Sequence, residues 1–205
     1  MAKKFSCPNY LSAIVVVHGE SEHIIAKHIQ SSLRLNMHIH KGTTSIQING
    51  LLKELNTYFK DISQLLQNPK YSLDIEDKKI KNFKIFTLMD TDDCTEETKN
   101  KYIDGSLFEK YLLKDYIVPI YSTPDLEHVL FNSELIPKIY NDSEKVKEYG
   151  KLFPVSSVPI GQAQLPMDNM KKTFSQLEGN KKTNLELFIK YCIEQAELKR
   201  AQRNY

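Results

Sequence analysis

The sequence predicts an α/β fold in which a mostly parallel sheet is flanked by helices, and three observations lead to this prediction. Two short apolar runs, residues 13–17 (AIVVV) and 83–89 (FKIFTLM), have the length and composition of strands that are buried on both faces. A helical pattern follows the first run directly, as in a βαβ unit. Residues 116–122 (YIVPIYS) supply a further strand, and Pro119 favours either an edge position or a bulge for it.

The helix after the first strand is expected to use Ser21 as its N-cap, with Ile25, Ile29 and Leu33 on one apolar face. Residues 37–42 predict a short second strand.

Residues 45–67 predict one long helix, because their apolar side chains form a continuous stripe. The segment 68–82 is polar and is expected to break this helix. Thr95 should cap a helix over 95–104, with Glu96 and Glu97 in its first turn.

The second half of the chain has a different pattern. Residues 143–152 and 184–203 predict helices, separated by a proline-containing stretch at 153–166. We therefore expect an α/β core over residues 1–135 and a mainly helical part over 136–205, packed on that core because no flexible linker separates them.

Composition narrows the functional classes only a little. The net charge of +2 over 205 residues excludes a uniformly basic nucleic-acid-binding surface, but it allows a local basic patch. No apolar run approaches the roughly 20 residues of a membrane span, and no secretory signal is evident, so we expect a cytoplasmic protein without a membrane partner. Cys7, Cys94 and Cys192 are expected to be reduced thiols.

Polar side chains follow two of the predicted strands at the points where the strands end. They are His18, Glu20 and Glu22 after the first strand, and Asp90, Asp92 and Asp93 after the second. Functional groups of open parallel sheets gather at the carboxyl ends of the strands, and carboxylate oxygens are the ligands that Mg²⁺ and Mn²⁺ prefer. The sequence therefore predicts a divalent metal site there, which would also relieve the repulsion between the acids. The alternative is a solvated helix N-terminus, where acidic residues are favoured electrostatically.

These motifs resemble the Toprim fold, and more narrowly the Toprim-type nucleases of the OLD and RloB-like families. The resemblance rests on a strand ending in HGESE, a later strand ending in DTD, and the segment STPDLE, and it covers roughly residues 11–135. It implies that Glu22, Asp90, Asp92 and Glu127 hold Mg²⁺ or Mn²⁺ that cleaves phosphodiester bonds in DNA or RNA. It also implies a bacterial phage-defence role beside a separate ATPase, since the chain has no P-loop pattern.

The chain departs from the family pattern at His18, which stands where the family has Glu. An imidazole can ligate Mn²⁺ or act as a general base, and Glu20 can replace it as a ligand. We therefore predict His18, Glu20 and Glu22 as catalytic residues. The same departure leaves open a degenerate site that binds a nucleotide or a partner and has a regulatory role. The short D-x-D also leaves open a phosphotransfer or glycosyl-transfer enzyme.

Substrate binding requires positive charge near the acids. Lys171, Lys172, Lys181 and Lys182 are predicted to surround a loop and to contact nucleic-acid phosphates, with a solvated loop as the alternative. His38, His40 and Lys41 are expected to be surface residues, and the scattered tyrosines predict no stacking platform. The sequence also allows a homo-oligomer.

Overall fold

In a computed structural model of the chain, which describes residues 9–155 and 164–203, a four-stranded parallel sheet lies between two groups of helices. The strands are β1 (Ala13–Val17), β2 (Met37–Lys41), β3 (Ile75–Glu76), β4 (Lys79–Ile80), β5 (Lys84–Asp90) and β6 (Ile117–Ser122). The helices are α1 (Glu20–Leu33), α2 (Ile48–Tyr58), α3 (Ile62–Gln67), α4 (Glu96–Ile103), α5 (Leu126–Asn132), α6 (Asp142–Leu152), α7 (Gln164–Leu177) and α8 (Leu185–Arg203). The predicted α/β class with a parallel sheet is confirmed.

The strand order in the main sheet is β2-β1-β5-β6, and all neighbouring pairs are parallel. Side chains of β1 alternate between two hydrophobic clusters: Val15 packs with α1 and α8, whereas Ile14 packs with α2 and α3. Both faces of β1 are therefore buried, which explains why its sequence is an unbroken apolar run.

The parallel register brings the carboxyl ends of the four strands to one edge of the sheet. Val17 pairs with Lys41 of β2 and with Leu88 of β5, and Asp90 pairs with Ser122 of β6. The turns that follow β5 and β6 are also joined, because the Thr91 N–H donates to the carbonyl oxygens of Ser122 and Pro124. Polar residues that follow different strands are thereby held close together.

Two helix predictions in the first half of the chain are wrong in detail. Gly19, and not Ser21, is the N-cap of α1, so Ser21 lies inside the helix, where it is buried. The segment 45–67 forms two helices, because the Asp61 side chain accepts a hydrogen bond from the Gln64 N–H and starts α3. The Tyr111 hydroxyl donates to the Phe59 carbonyl, which lies at the break between the helices.

The polar segment 68–82 contains a small antiparallel hairpin, β3–β4, that the sequence analysis missed. Asp77 and Lys78, between its strands, both have positive φ angles of 50° and 63°, as in tight two-residue turns. Strands of two residues are too short to show a period in the sequence. The Thr95 cap of α4 is confirmed, and β6 lies at the sheet edge as Pro119 predicted.

The helices in the C-terminal part pack on the sheet and on α1. In α8, the Phe188 ring lies 5.0 Å from Phe86 of β5, and the Tyr191 hydroxyl donates to the Ser12 and Asn82 carbonyls. Helix α7 was not predicted, since the lysines within it were assigned to a loop. Within the described ranges no helix is long and apolar enough to cross a membrane. Cys94 and Cys192 are free thiols, whereas Cys7 lies outside the described residues.

The outer side of β6 is paired with the turn that precedes α8. The Asn184 side chain donates to the Pro119 carbonyl at 2.9 Å and accepts from the Tyr121 N–H at 2.9 Å. The Thr183 hydroxyl donates to the Tyr121 carbonyl at 2.7 Å, and the Thr123 N–H donates to the Lys182 carbonyl at 2.8 Å. These contacts fix the position of residues 182–184 against the carboxyl end of β6.

Candidate functional site

Three carboxylates from distant parts of the chain interact at the carboxyl edge of the sheet. Glu22 lies in the first turn of α1, Asp90 is the last residue of β5, and Glu127 lies in the first turn of α5. Each is almost completely buried, with 3%, 7% and 7% of its surface exposed, respectively. Buried acids are rare unless a counter-charge or hydrogen bonds compensate them, so this carboxylate cluster is the main candidate for a functional site.

Local hydrogen bonds orient each carboxylate. Glu22 Oε2 accepts from the Gly19 N–H at 2.9 Å, and this bond joins the first turn of α1 to its N-cap, directly after β1. Asp90 Oδ1 accepts from the Leu126 N–H at 2.9 Å, and this bond joins the end of β5 to the start of α5. Glu127 Oε1 accepts from the Ser21 hydroxyl at 2.7 Å. The cluster is therefore held by the main elements of the fold.

Burial and mutual repulsion raise the pKa of two acids of the cluster, Asp90 and Glu22. Desolvation, together with the neighbouring Glu22 and Glu127 carboxylates, raises the pKa of Asp90 to about 9. Desolvation also raises the pKa of Glu22 to about 7, and the charge of Glu127 acts in the same direction. Among the described residues, Glu22 Oε1 is buried without a hydrogen-bond partner. A cation bound between these carboxylates would offset their mutual repulsion and would give Glu22 Oε1 a partner.

Helix α6 contributes a lysine and a tyrosine to the cluster. Lys145 Nζ lies 2.7 Å from Glu127 Oε1, and its charge also acts on the pKa of Glu22 in the lowering direction. Tyr149, one turn later, is completely buried, and its hydroxyl has no hydrogen-bond partner within the described part of the chain. Desolvation raises the pKa of Tyr149, and the Glu127 and Glu22 carboxylates raise it further. The protein thus already places one positive charge beside three acids.

His18 and Asp93 form a second polar pair near the cluster. His18 Nδ1 and Asp93 Oδ2 are 3.9 Å apart, which exceeds hydrogen-bonding distance, and both Asp93 oxygens are buried without a described hydrogen-bond partner. Desolvation raises the pKa of Asp93, whereas the charge of His18 lowers it. Asp92 is exposed to solvent, and Glu20 forms an ion pair with Lys41 at the end of β2.

The structure therefore brings only some of the predicted site residues together. Glu22, Asp90 and Glu127 come together in the cluster. Glu20 and Asp92 have other surroundings, and His18 faces Asp93.

The four predicted substrate-binding lysines do not share one location. Lys171 and Lys172 are exposed residues of α7, and Lys171 forms an ion pair with Glu197 of α8 at 2.9 Å. Lys181 and Lys182 lie in the turn before α8, which pairs with β6 beyond its carboxyl end. Of the four, Lys181 and Lys182 therefore lie at the edge of the sheet that carries the carboxylates.

The donor atoms of the cluster suit a hard divalent cation, but the ligands are not preassembled. Carboxylate oxygens match the preference of Mg²⁺ and Mn²⁺, and the unpartnered Glu22 Oε1 provides a free lone pair. Residues 9–155 and 164–203 contain no group of three or more His, Cys, Asp or Glu side chains with metal-binding geometry. The Lys145–Glu127 ion pair gives a physical reason, because an ammonium group engages one of the three acids.

The pKa shifts predict how the stability of the metal-free protein depends on pH. An acid with a raised pKa in the folded state binds a proton that the unfolded chain has released, so stability falls as pH rises towards the folded pKa. Between pH 7 and pH 9 this applies to Asp90, whose pKa is raised to about 9. Below pH 7 the Glu22 contribution is opposed by His23 and His38, whose pKa values are lowered by burial.

We therefore expect the metal-free protein to lose stability from pH 7 to pH 9, by up to about 1.4 kcal/mol per pH unit. Urea unfolding in a chelator at three pH values in this range measures the slope. A stability that stays constant or increases over the same range would contradict the buried, proton-binding state of Asp90.

Sequence analysis missed three residues of the cluster's surroundings. Ser21 was assigned as a cap, although its hydroxyl binds Glu127. Lys145 and Tyr149 are four residues apart, so a helix places them on one face, and this spacing was a usable signal. Which face of that helix meets the acids depends on tertiary packing and has no counterpart in the local sequence.

Comparisons with protein-family models, with curated proteins and with solved structures find no match to this chain.

Proposed function

We propose that this chain is a metal-dependent nuclease with a Toprim-like fold, which cleaves phosphodiester bonds in DNA or RNA. The observation that carries the proposal is the buried cluster of Glu22, Asp90 and Glu127 at the carboxyl edge of a parallel sheet. Three separate segments supply these acids, which favours this function over an enzyme that uses the D-x-D alone. By the same resemblance, we propose a role in bacterial phage defence beside a separate ATPase.

Glu22, Asp90 and Glu127 would hold Mg²⁺ or Mn²⁺, which supplies charge stabilisation at the phosphate and a lowered pKa for a bound water molecule. The residues of the chain have complementary tasks. The Gly19 and Leu126 N–H groups orient Glu22 and Asp90, and the Ser21 hydroxyl orients Glu127. These bonds fix the acids before substrate arrives, which lowers the cost of organising the site.

His18 is the proposed proton acceptor. Its side chain is 17% exposed, whereas its Nδ1 atom is buried, faces Asp93 and has no hydrogen-bond partner among the described residues. An imidazole can act as a general base, and the Asp93 carboxylate 3.9 Å away would stabilise the charge of its protonated form. Lys181 and Lys182 would contact neighbouring phosphates without reading the base sequence.

A direct cleavage assay tests the proposal. The protein is incubated with supercoiled plasmid, a single-stranded DNA and a structured RNA, each with Mn²⁺, Mg²⁺ or a chelator. We expect Mn²⁺- or Mg²⁺-dependent cleavage of at least one substrate by the wild type. Glu22→Gln should remove this cleavage, because it loses a carboxylate of the cluster. Absence of cleavage with every metal and substrate, or equal cleavage by Glu22→Gln, would contradict the proposal.

The Lys145–Glu127 ion pair favours a second candidate function, a regulatory module that has lost the metal. In this case Lys145 is the permanent counter-ion of the acids, and the site binds a nucleotide or a partner protein without cutting. The replacement of the family's Glu by His18 points the same way. Calorimetry distinguishes the two functions: a lack of Mn²⁺ and Mg²⁺ binding, combined with a lack of cleavage, supports the regulatory module.

A further inference from the structure

A cavity of about 370 Å³ lies at the carboxyl end of β2. Its walls are the end of β2, the loop 42–47 and one face of α2. This volume lies within the range of small-ligand pockets and suits one nucleotide better than an extended chain. None of the functional roles proposed above uses this cavity.

One wall of the cavity is aromatic and has an open side. The rings of His40 and Tyr58 have their centroids 4.6 Å apart, and Tyr58 is 51% exposed. His40 is held in place by Glu54 Oε1, 2.8 Å from its Nε2 atom, and by the Phe59 ring in a perpendicular contact. The sequence analysis predicted no stacking platform because the tyrosines are scattered, but the fold brings His40 and Tyr58 together from 18 positions apart in the chain. A fixed aromatic surface of this kind stacks on nucleic-acid bases of any sequence.

The rim of the cavity carries groups that bind phosphate. Lys53 and Lys41 provide two ammonium groups, of which Lys41 is ion-paired with Glu20 and would have to exchange this partner for a phosphate, and Thr43, Thr44 and Ser45 provide hydroxyl groups. Gly42 makes this tight loop possible, since a Cβ atom there would lie 2.7 Å from the Thr44 carbonyl oxygen. The cavity therefore combines an aromatic wall for a base with a polar, cationic rim for a phosphate.

The loop and the carboxylate cluster are separated only by the turn after β1. The Ile46 N–H donates to the His18 carbonyl at 2.9 Å, which fixes the loop against this turn. A Cβ atom at Gly19 would lie 3.4 Å from Glu22 Oε2 and 3.9 Å from Ser45 Oγ. A strand whose phosphate lies at the acids can thus place an adjoining nucleotide in the cavity.

We propose that this cavity binds one nucleotide unit, with the base against His40 and Tyr58 and the phosphate at Lys41 and Lys53. The unit belongs to the nucleic-acid strand that is cleaved at the acids, and to this extent the inference rests on the proposed function. A free nucleotide has the same chemistry, so the test contains an arm for each source.

Gly50 provides a way to fill the cavity from a position that tolerates a side chain. It lines the cavity inside α2, and a Cβ atom there meets no other atom within 4 Å. Gly50→Leu therefore projects into the space without a clash and favours the helix. Gly150→Leu is the matched control, because Gly150 is also an exposed helical glycine with no atom near its Cβ position. Tyr58→Ala removes the exposed ring as an independent variant.

Binding is measured by fluorescence anisotropy of a labelled single-stranded 12-mer in a chelator, with all variants in an Asp90→Asn background so that no cleavage occurs. We expect Gly50→Leu and Tyr58→Ala to weaken binding at least tenfold, with Gly150→Leu within twofold of the parent. Lys53→Met should reduce the slope of log affinity against log salt by about 0.7, as for one lost phosphate contact on a single strand. Melting temperatures confirm that each variant is folded.

The outcomes separate this inference from the nuclease function. If the parent binds the oligonucleotide and Gly50→Leu and Tyr58→Ala bind it equally well, the cavity proposal is overturned while the nuclease proposal stands. If the wild type does not cleave but a 5′-mononucleotide binds and Gly50→Leu abolishes that binding, the cavity is a nucleotide site and the nuclease proposal fails. If neither ligand binds the parent at low salt, the cavity proposal is overturned.

Discussion

Replacing Asp90 with Asn is expected to abolish metal-dependent cleavage and at the same time to stabilise the metal-free protein. Loss of this carboxylate should reduce the cleavage rate on the order of 10³-fold, as for other groups that stabilise transition-state charge. The amide oxygen still accepts from the Leu126 N–H, so the fold is preserved. The raised pKa of Asp90 means that the folded protein holds a proton at pH 8 that the unfolded chain has released, whereas an amide is neutral in both states. The free energy of unfolding at pH 8 should therefore rise by about 1–3 kcal/mol.

Two control variants accompany Asp90→Asn. Glu97→Gln changes an exposed acid in α4 and should leave both cleavage and stability unchanged within about 0.5 kcal/mol. Asp92→Asn changes the second acid of the D-x-D, which is exposed, and should leave stability unchanged. Its effect on cleavage decides whether Asp92 holds metal, as the Toprim resemblance implies. If Asp90→Asn were active, or less stable than the wild type at pH 8, the role assigned to the carboxylate cluster would be wrong.

Replacing Lys145 with Met is expected to destabilise the metal-free protein by about 3 kcal/mol, because it leaves buried acids without their counter-ion. Glu127 has 10% of its side chain exposed and is contacted by the Lys145 ammonium group and the Ser21 hydroxyl. In Lys145→Met, only the Ser21 hydroxyl of these two donors remains. Methionine retains most of the apolar stem of the lysine, so the effect reports mainly the charge. Urea unfolding in a chelator at pH 8 measures the difference.

Added Mn²⁺ should stabilise Lys145→Met more than it stabilises the wild type. An ammonium group and a divalent cation compete for Glu127, so removal of the lysine leaves the acids free for metal. Lys151→Met is the matched control on the same helix, since Lys151 pairs with Glu148 at an exposed position and should cost less than about 1 kcal/mol. An equal Mn²⁺ effect in the wild type and in Lys145→Met would show that the lysine does not compete with metal.

The sequence predicted those features of the fold that depend on local patterns. The buried strands β1 and β5 were recognisable because both their faces are covered, and Pro119 indicated an edge strand because it cannot donate a ladder hydrogen bond. The break between α2 and α3 was missed, because the apolar stripe continues through Phe59 while the backbone does not. Here the capping preference of Asp61 prevailed over the periodicity.

The site was predictable only in part, and the reason is geometric. Glu22 and Asp90 follow buried strands, so the parallel arrangement alone suggested that they would be close. Glu127 entered through a family resemblance, and the structure places it beside them. Asp92 adjoins Asp90 in the motif but is exposed, because the turn after β5 directs Asp93 towards His18. The contribution of α6 depends on its packing against α1, which lies more than 100 residues earlier in the chain.

The pairing of Asn184 and Thr183 with the outer side of β6 has a consequence for self-association. Exposed edge strands offer free N–H and C=O groups to other chains, and this is a common route to aggregation. In this protein those groups on Tyr121, and the carbonyl of Pro119, are already occupied from within the same molecule. A second copy could extend the sheet at this part of β6 only by displacing them, so these contacts oppose edge-to-edge pairing at this strand.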